Sequence, residues 1–344
     1  MNGAEPNSKQ LVSHALKGLE TPRAPTGPLA VHFCARVSGI SLREYTTNPR
    51  LLAEAVIRYY ERFRPDAVWL SSDTWVSAQA MGVPVGATND CQPFGRLGEP
   101  LIQSRADIDR IPAPNVTTQG RYPLMLEALA RICETLGKEV FVVACFDQYP
   151  FSLASALMGI DRIMFNLTDD PRMVEALMER CLEYGLAYGN ALSRAGADML
   201  SGGDSPAGLV GPRFYRELAL PYERRLTAGL KSGTRKPVSL HICGNATPIL
   251  PHMMCSGADV LEIDHQVDLA SACRIVGPEM ALWGNLDPVA LLMQGRREQI
   301  RQASRQAVET VRACGHRRFV LSSGCTVAPE TPFENVEAML RWTR

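Results

Sequence analysis

With 344 residues, 46% of them hydrophobic, the chain has the make-up of an ordinary globular enzyme with one large core. Lysine plus arginine equals aspartate plus glutamate, 36 against 36, so no global field draws the chain to nucleic acid or to an anionic membrane. No apolar run reaches the ~18 residues of a membrane span, and the start, MNGAEPNSKQLVSHALKG, shows no basic stretch followed by an apolar one; a cytoplasmic protein is expected.

Residues 1–28 read as an N-terminal extension with a helix, and 29–344 as a single catalytic domain. The first predicted strand is 29–36 (LAVHFCAR), the second 66–71 (DAVWLS). Residues 84–120 are rich in Gly and Pro and read as an irregular insertion, a wall or lid over a site. Further strands are predicted at 139–145, 197–201, 236–242, 258–263, 279–284 and 317–322. Between them the apolar positions recur at helical spacing, as in PRMVEALMERCLEYGLAYGNALSRAG, and Pro221 is expected to break or kink one such stretch. Eight strands, each followed by helix, predict an α/β protein of the (β/α)8 TIM-barrel type. An open doubly wound sheet is the alternative, but no G-x-G-x-x-G follows the first strand and no G-x-x-x-x-G-K-[ST] occurs. The ten cysteines are scattered through the chain and read as free, mostly buried thiols in a reducing compartment.

Chemistry in such a barrel gathers at the carboxyl ends of the strands. There the segment VSLHICGN presents His241 and Cys243, two residues apart and therefore on one side of the strand. Glu262 lies near the end of the next strand and Cys325 follows the last. An imidazole with two thiolates suits tetrahedral Zn2+, and a displaceable fourth ligand would make the centre catalytic. Glu262 is the candidate for that position, with Asp264 or water as alternatives. Asp73, Asp147, Tyr149 and Asp204 also fall at strand ends, where they would bond substrate or merely cap helices. His32, His252 and His265 read as core residues, and His14 and His316 as solvated.

HICGN, SSGCTVAPETPFENVEAM, GNLDP at 284–288, GDSPAGLVGPRFYRELALPY at 203–222 and PFSLASALMG at 150–159 together resemble the uroporphyrinogen decarboxylase superfamily. Within it, the His-X-Cys with a late Gly-Cys is similar to the zinc methyltransferase branch, which includes methylcobamide:coenzyme M methyltransferases. The resemblance implies zinc on His241, Cys243 and Cys325. A similar His-X-Cys, Glu, Cys order in cobalamin-independent methionine synthase supports Glu262. It further implies methyl transfer between a corrinoid (cobalamin) and a small molecule: a thiol, tetrahydrofolate, or a methoxy or methylamine compound. With no Asp-X-His-X-X-Gly motif in the chain, the corrinoid is expected on a separate protein.

Two other readings stand beside this one. A metal-free decarboxylase is favoured by Asp73, which matches that family's key aspartate. Against it, HFCARVSG keeps only Arg36 where the decarboxylase segment carries several arginines, and Gly324-Cys325 replaces a Gly-His. A non-catalytic barrel with a structural zinc is the other, although no C-x2-C knuckle is present.

Overall fold

The computed structural model describes residues 6–95 and 98–342. Among the described residues there are nine strands: β1 (Ala67–Leu70), β2 (Val85–Gly86), β3 (Phe94–Gly95), β4 (Phe141–Gln148), β5 (Met199–Gly203), β6 (Val238–Ile242), β7 (Val260–Ile263), β8 (Ala281–Leu286) and β9 (Phe319–Ser323). Seven of them form one parallel sheet in the order β1-β4-β5-β6-β7-β8-β9. β2 and β3 pair only with each other, inside the Gly- and Pro-rich insertion. Sequential parallel neighbours with helices between them give an α/β fold with a curled, TIM-barrel-like sheet.

The strand expected at 29–36 is not there. Val31–Ser38 is a helix that buries Val31, Phe33, Cys34 and Ala35. A short apolar run fits either a buried strand or one face of a helix, and periodicity alone does not separate them. The extended piece comes earlier, after the turn residues that precede Pro25. Leu321 N–H donates to Pro25 O at 2.9 Å and Gly27 N–H donates to Leu321 O at 3.0 Å. On the other side, Asp66 and Ala67 N–H both donate to Thr26 O, at 2.9 and 3.1 Å. Residues 25–27 thus bond to both edge strands. Asp66, almost fully buried, fixes them by accepting from Thr26 N–H and Oγ1–H and from both ends of the Arg23 guanidinium.

Alternation along the strands sorts the side chains. Ala67, Trp69, Phe141, Val143, Met199, Val260, Ala281, Trp283 and Val320 form one inner cluster, joined by Val12 of the helix Ser8–Leu16. The intervening residues, such as Val68, Val142, Leu240 and Leu261, join the cluster shared with the outer helices. Two residues further along the same inner faces stand Ser201, His241, Glu262 and Ser322, so the interior turns polar towards the carboxyl ends.

Trp69 and Trp283 meet edge to face at 5.7 Å, and both indole N–H groups point to Gly27 O. A Cβ on residue 27 would lie 2.5 Å from Trp283 Cζ2, so only glycine fits there. Gly27→Ala is expected to cost about 1–3 kcal/mol, the usual penalty for overpacking. It should appear as a lower urea midpoint at unchanged slope, and an unchanged midpoint would mean that Trp283 yields freely.

Pro221 does not break its helix. A π-helical turn, Tyr215–Ala219, runs directly into the helix Leu220–Thr234 and absorbs the missing N–H.

Candidate metal centre

His241 is the fourth residue of β6 and lies in register with Gly203 of β5 and Glu262 of β7. Its Nδ1–H donates to the Glu262 backbone carbonyl at 3.1 Å, which leaves the Nε2 lone pair free to bind a metal. Nε2 lies 3.0 Å from Cys243 Sγ, and Cys243 Sγ lies 3.7 Å from Cys325 Sγ. The ligand atoms of His241, Cys243 and Cys325 all fall within 4.8 Å of one another. A tetrahedral zinc with Zn–S of ~2.3 Å and Zn–N of ~2.0–2.1 Å would hold two sulfurs about 3.8 Å apart and nitrogen about 3.5 Å from sulfur. The sulfur pair matches that geometry and the nitrogen sits slightly closer than it requires. The donor set fits zinc.

The neighbouring backbone holds these side chains in place. Cys243 N–H donates to Ser205 Oγ at 3.1 Å, and Asp204 N–H donates to the His241 carbonyl at 2.8 Å. Cys325 reaches the pair because residue 324 has no side chain: a Cβ there would sit 2.5 Å from His265 N. Electrostatics follow from the contact. A hydrogen bond from Cys325 draws the Cys243 thiol down to about 7, while the same bond, with burial, pushes Cys325 up to about 12. Of the two sulfurs, Cys243 is therefore the one that ionises more readily. Burial opposes the charge on His241, but Cys325 and Glu262 outweigh it and hold the imidazole above its ordinary value.

Glu262 lies outside this group of three. It is 2% exposed, and its Oε1 accepts from Ser201 Oγ–H at 2.8 Å and from Ser239 Oγ–H. Burial raises its pKa, with His241 and the two serines pulling the other way. Glu262 is the register partner of His241 on the neighbouring strand, and its carboxylate is held by the two serines.

The other strand-end residues are committed to partners. Asp73 takes both ends of the Arg121 guanidinium, at 2.5 and 2.8 Å, together with Ser72 Oγ–H and Trp75 N–H. Tyr149 is fully buried and donates its hydroxyl to Ser239 O at 3.0 Å, behind β6. Asp204, also fully buried, accepts from Ser152 N–H and Oγ–H at 2.8 and 2.7 Å. Burial pushes it up to about 6, and burial with the Asp204 charge pushes Glu223 well above the carboxylate range. Asp73 and Tyr149 are thus held by partners, whereas Asp204 keeps its Oδ2 buried and without one. Sequence reasoning overlooked Ser201, Ser205 and Ser239, whose only signal is their place on the inner face or just beyond a strand end. It also read His316 as solvated, whereas the side chain is 3% exposed. All ten cysteines are free, but only Cys34, Cys181 and Cys273 are buried, fewer than expected.

Asp147 has φ +80°, rare for a residue with a side chain, and its Oδ2 accepts from Ser77 N–H at 2.8 Å. Burial pushes this carboxyl up to about 8. An acid held above its unfolded value binds its proton more tightly in the native protein, so its contribution to stability is complete in acid. That contribution is lost as pH rises from ~4 through about 8. At about 1.4 kcal/mol per unit, a window of about four units is worth on the order of 6 kcal/mol. Asp147→Asn keeps an acceptor for Ser77 and is expected to flatten the decline of stability between pH 5 and 9, measured by urea unfolding. A variant with the wild-type pH profile would count against this assignment.

A cavity of about 850 Å³ opens at the opposite end of the strands, where Lys231 pairs with Asp259 and Arg318 with Glu279. It has no part in the sulfur site.

Comparison with known proteins gives three results. A family model described as uroporphyrinogen decarboxylase (URO-D) matches residues 7–344. Among curated proteins, the methylcobamide:CoM methyltransferase MtbA of Methanosarcina acetivorans is 31% identical over 281 residues, 78% of this chain and 80% of the relative. The uroporphyrinogen decarboxylase of Gloeobacter violaceus is also 31% identical, over 310 residues, 85% of this chain and 83% of the relative. Among solved structures, a methyltransferase from Methanosarcina mazei superposes with a TM-score of 0.88 at 27% identity, covering 98% of both chains. A B12-independent methionine synthase from Shewanella shares the fold at a TM-score of 0.59 and 12% identity, over 93% of this chain and 95% of the other.

Proposed function

The chain belongs to the uroporphyrinogen decarboxylase family, and from that premise we propose that it is a zinc-dependent methyltransferase. It moves a methyl group between a corrinoid carried on a partner protein and a small molecule: a thiol, tetrahydrofolate, or a methoxy or methylamine compound. Overall identity does not choose between the relatives, since a methyltransferase and a decarboxylase match equally at 31%. The observation that carries the reading is the meeting of one imidazole nitrogen and two sulfurs within 4.8 Å, from residues 241, 243 and 325. A metal-free decarboxylase has no use for that donor set. Its aspartate is occupied here, because Asp73 is consumed by Arg121.

His241 Nε2, Cys243 Sγ and Cys325 Sγ would hold the zinc, with Glu262 or the substrate at the fourth position. Zinc bound there supplies Lewis acidity, lowering the pKa of a thiol or polarising a methoxy oxygen. The protein's own groups do the rest. The Glu262 carbonyl fixes the imidazole tautomer. Ser205 fixes the Cys243 backbone, and the sulfur pair gives up its protons when both thiolates form. Ser201 and Ser239 steady the Glu262 carboxylate one strand away.

In this reading residues 29–344 form one catalytic unit and residues 84–120 flank the mouth. The segment 25–27 completes the sheet as an eighth member of a (β/α)8 ring. Among the described residues no helix is long and apolar enough to cross a membrane. Free thiols as metal ligands suit a reducing cytoplasm.

The test is to incubate purified protein with methylcobalamin and a panel of thiols, methyl ethers and methylamines, with zinc measured alongside. One zinc per chain and transfer that stops with a chelator are expected. Full activity without metal would defeat the proposal, and decarboxylation that persists in chelator would favour the rival.

A further inference from the structure

Among the large apolar side chains left exposed, Leu209 leads at 74%, and Val289 stands at 47%. Both rise from loops that back onto the sulfur centre. Leu209 ends the turn Ser205–Leu209, directly after β5. In that turn Ser205 Oγ accepts the Cys243 N–H at 3.1 Å. Gly208 lies so close to β6 that a Cβ there would be 2.9 Å from Ile242 Cγ2 and 3.9 Å from Cys243 O. Val289 follows β8, and its N–H donates to Asp287 Oδ1 at 2.8 Å. Asp287 Oδ2 lies 3.5 Å from His265 Nε2, and the His265 backbone rests against Gly324, the neighbour of Cys325. One apolar side chain is thus tied to the loop that carries Cys243, the other to the loop that carries Cys325.

Resting on the methyl-transfer reading, we propose that Leu209 and Val289 are apolar anchors for the protein that carries the corrinoid, which docks by hydrophobic contact across the loops after β5 and β8. Methyl transfer requires the cobalt to come within a bond's reach of the atom held at His241, Cys243 and Cys325. A planar macrocycle must then lie face-on over the carboxyl ends of the strands, and whatever holds it covers these two loops. A free cofactor would touch only the mouth and would leave Leu209 in water. Charge adds little here: next to Leu209, Arg213 and Arg216 share the one carboxylate of Glu217, so these three residues leave a single net positive charge. The chain as a whole is neutral, 36 against 36. Large apolar residues that lose water at the centre of an interface carry most of its energy, and rim charges little.

The experiment pairs Leu209→Glu with Val289→Glu in one protein. The control is Phe165→Glu, a side chain 70% exposed on a helix packed against the outer helices Pro150–Met158 and Pro171–Arg194. Methyl transfer is assayed with free methylcobalamin and, separately, with each purified corrinoid-binding protein of the source organism, loaded with methylcobalamin. For the protein-borne corrinoid, KM is expected to rise at least about tenfold in the double variant, the scale of losing a central apolar contact. The rate with free methylcobalamin and the Phe165→Glu control should stay at wild-type values. The wild-type KM should also change little between about 0.05 and 0.5 M salt. Equal KM in wild type and double variant would overturn the proposal. So would an equal loss with the free cofactor, or a wild type served by free methylcobalamin and by no corrinoid protein. If wild type turns over no form of the corrinoid, the methyl-transfer reading itself fails and this inference falls with it.

Discussion

Cys243→Ser is expected to release the metal and to lower methyl transfer by more than the roughly 10–100-fold that loss of an outer hydrogen-bond partner costs a metal site. A serine hydroxyl does not ionise near neutral pH and is a poor zinc ligand, so His241 and Cys325 would be left with one soft donor fewer. The fold should survive. Cys243 lies just beyond the end of β6, and the interior beneath is a continuous apolar cluster that does not include it. Far-UV circular dichroism and the urea midpoint should therefore match wild type while zinc per chain falls towards zero. Ser205→Ala removes only the acceptor of the Cys243 N–H and should give a smaller loss with zinc retained. A serine variant that keeps both zinc and rate would remove the sulfurs from the chemistry. Global unfolding would assign the metal a structural role.

The second large effect concerns Asp73 and Arg121. Their side chains are 0% and 10% exposed, and the guanidinium also donates to Gln79 Oε1 at 2.6 Å and Ser72 Oγ at 2.9 Å. Arg121→Met leaves the Asp73 carboxylate buried without its counter-charge, at an expected cost of about 3–5 kcal/mol. The double change Asp73→Asn with Arg121→Met removes both charges and should be less damaging than the single arginine change. Urea unfolding of the four proteins completes the cycle. If Asp73 acted instead on substrate, Asp73→Asn would lower kcat with little change in stability. Single variants as stable as wild type would contradict the structural role.

Much of this arrangement is legible in the residue order, for physical reasons. The seven sheet strands each open on a short apolar run, as expected of parallel strands covered on both faces, and their approximate positions read directly. The run at 29–36 failed because LAVHFCAR is equally consistent with a buried helix, and nothing local favours either. His241, Cys243 and Cys325 were legible because their side chains carry unusual chemistry at strand ends, where the fold concentrates it. Asp73, Tyr149 and Asp204 occupy equivalent positions and were not separable from them by position. What their side chains bond to lies far along the chain: Arg121, 48 residues after Asp73, and Ser239, 90 residues after Tyr149. Burial and pairing of that kind are tertiary facts, so a strand-end aspartate in the sequence does not disclose whether its charge is already spent.

The three residues 25–27 deserve a practical reading. Thr26 O serves Asp66 and Ala67, while the backbones of Pro25 and Gly27 serve Leu321. A shortened chain starting at Pro28 would strip the outward backbone groups from β1 and β9 at once. Such bare flanks recruit other chains, so that product is expected to self-associate and precipitate rather than yield a smaller working enzyme.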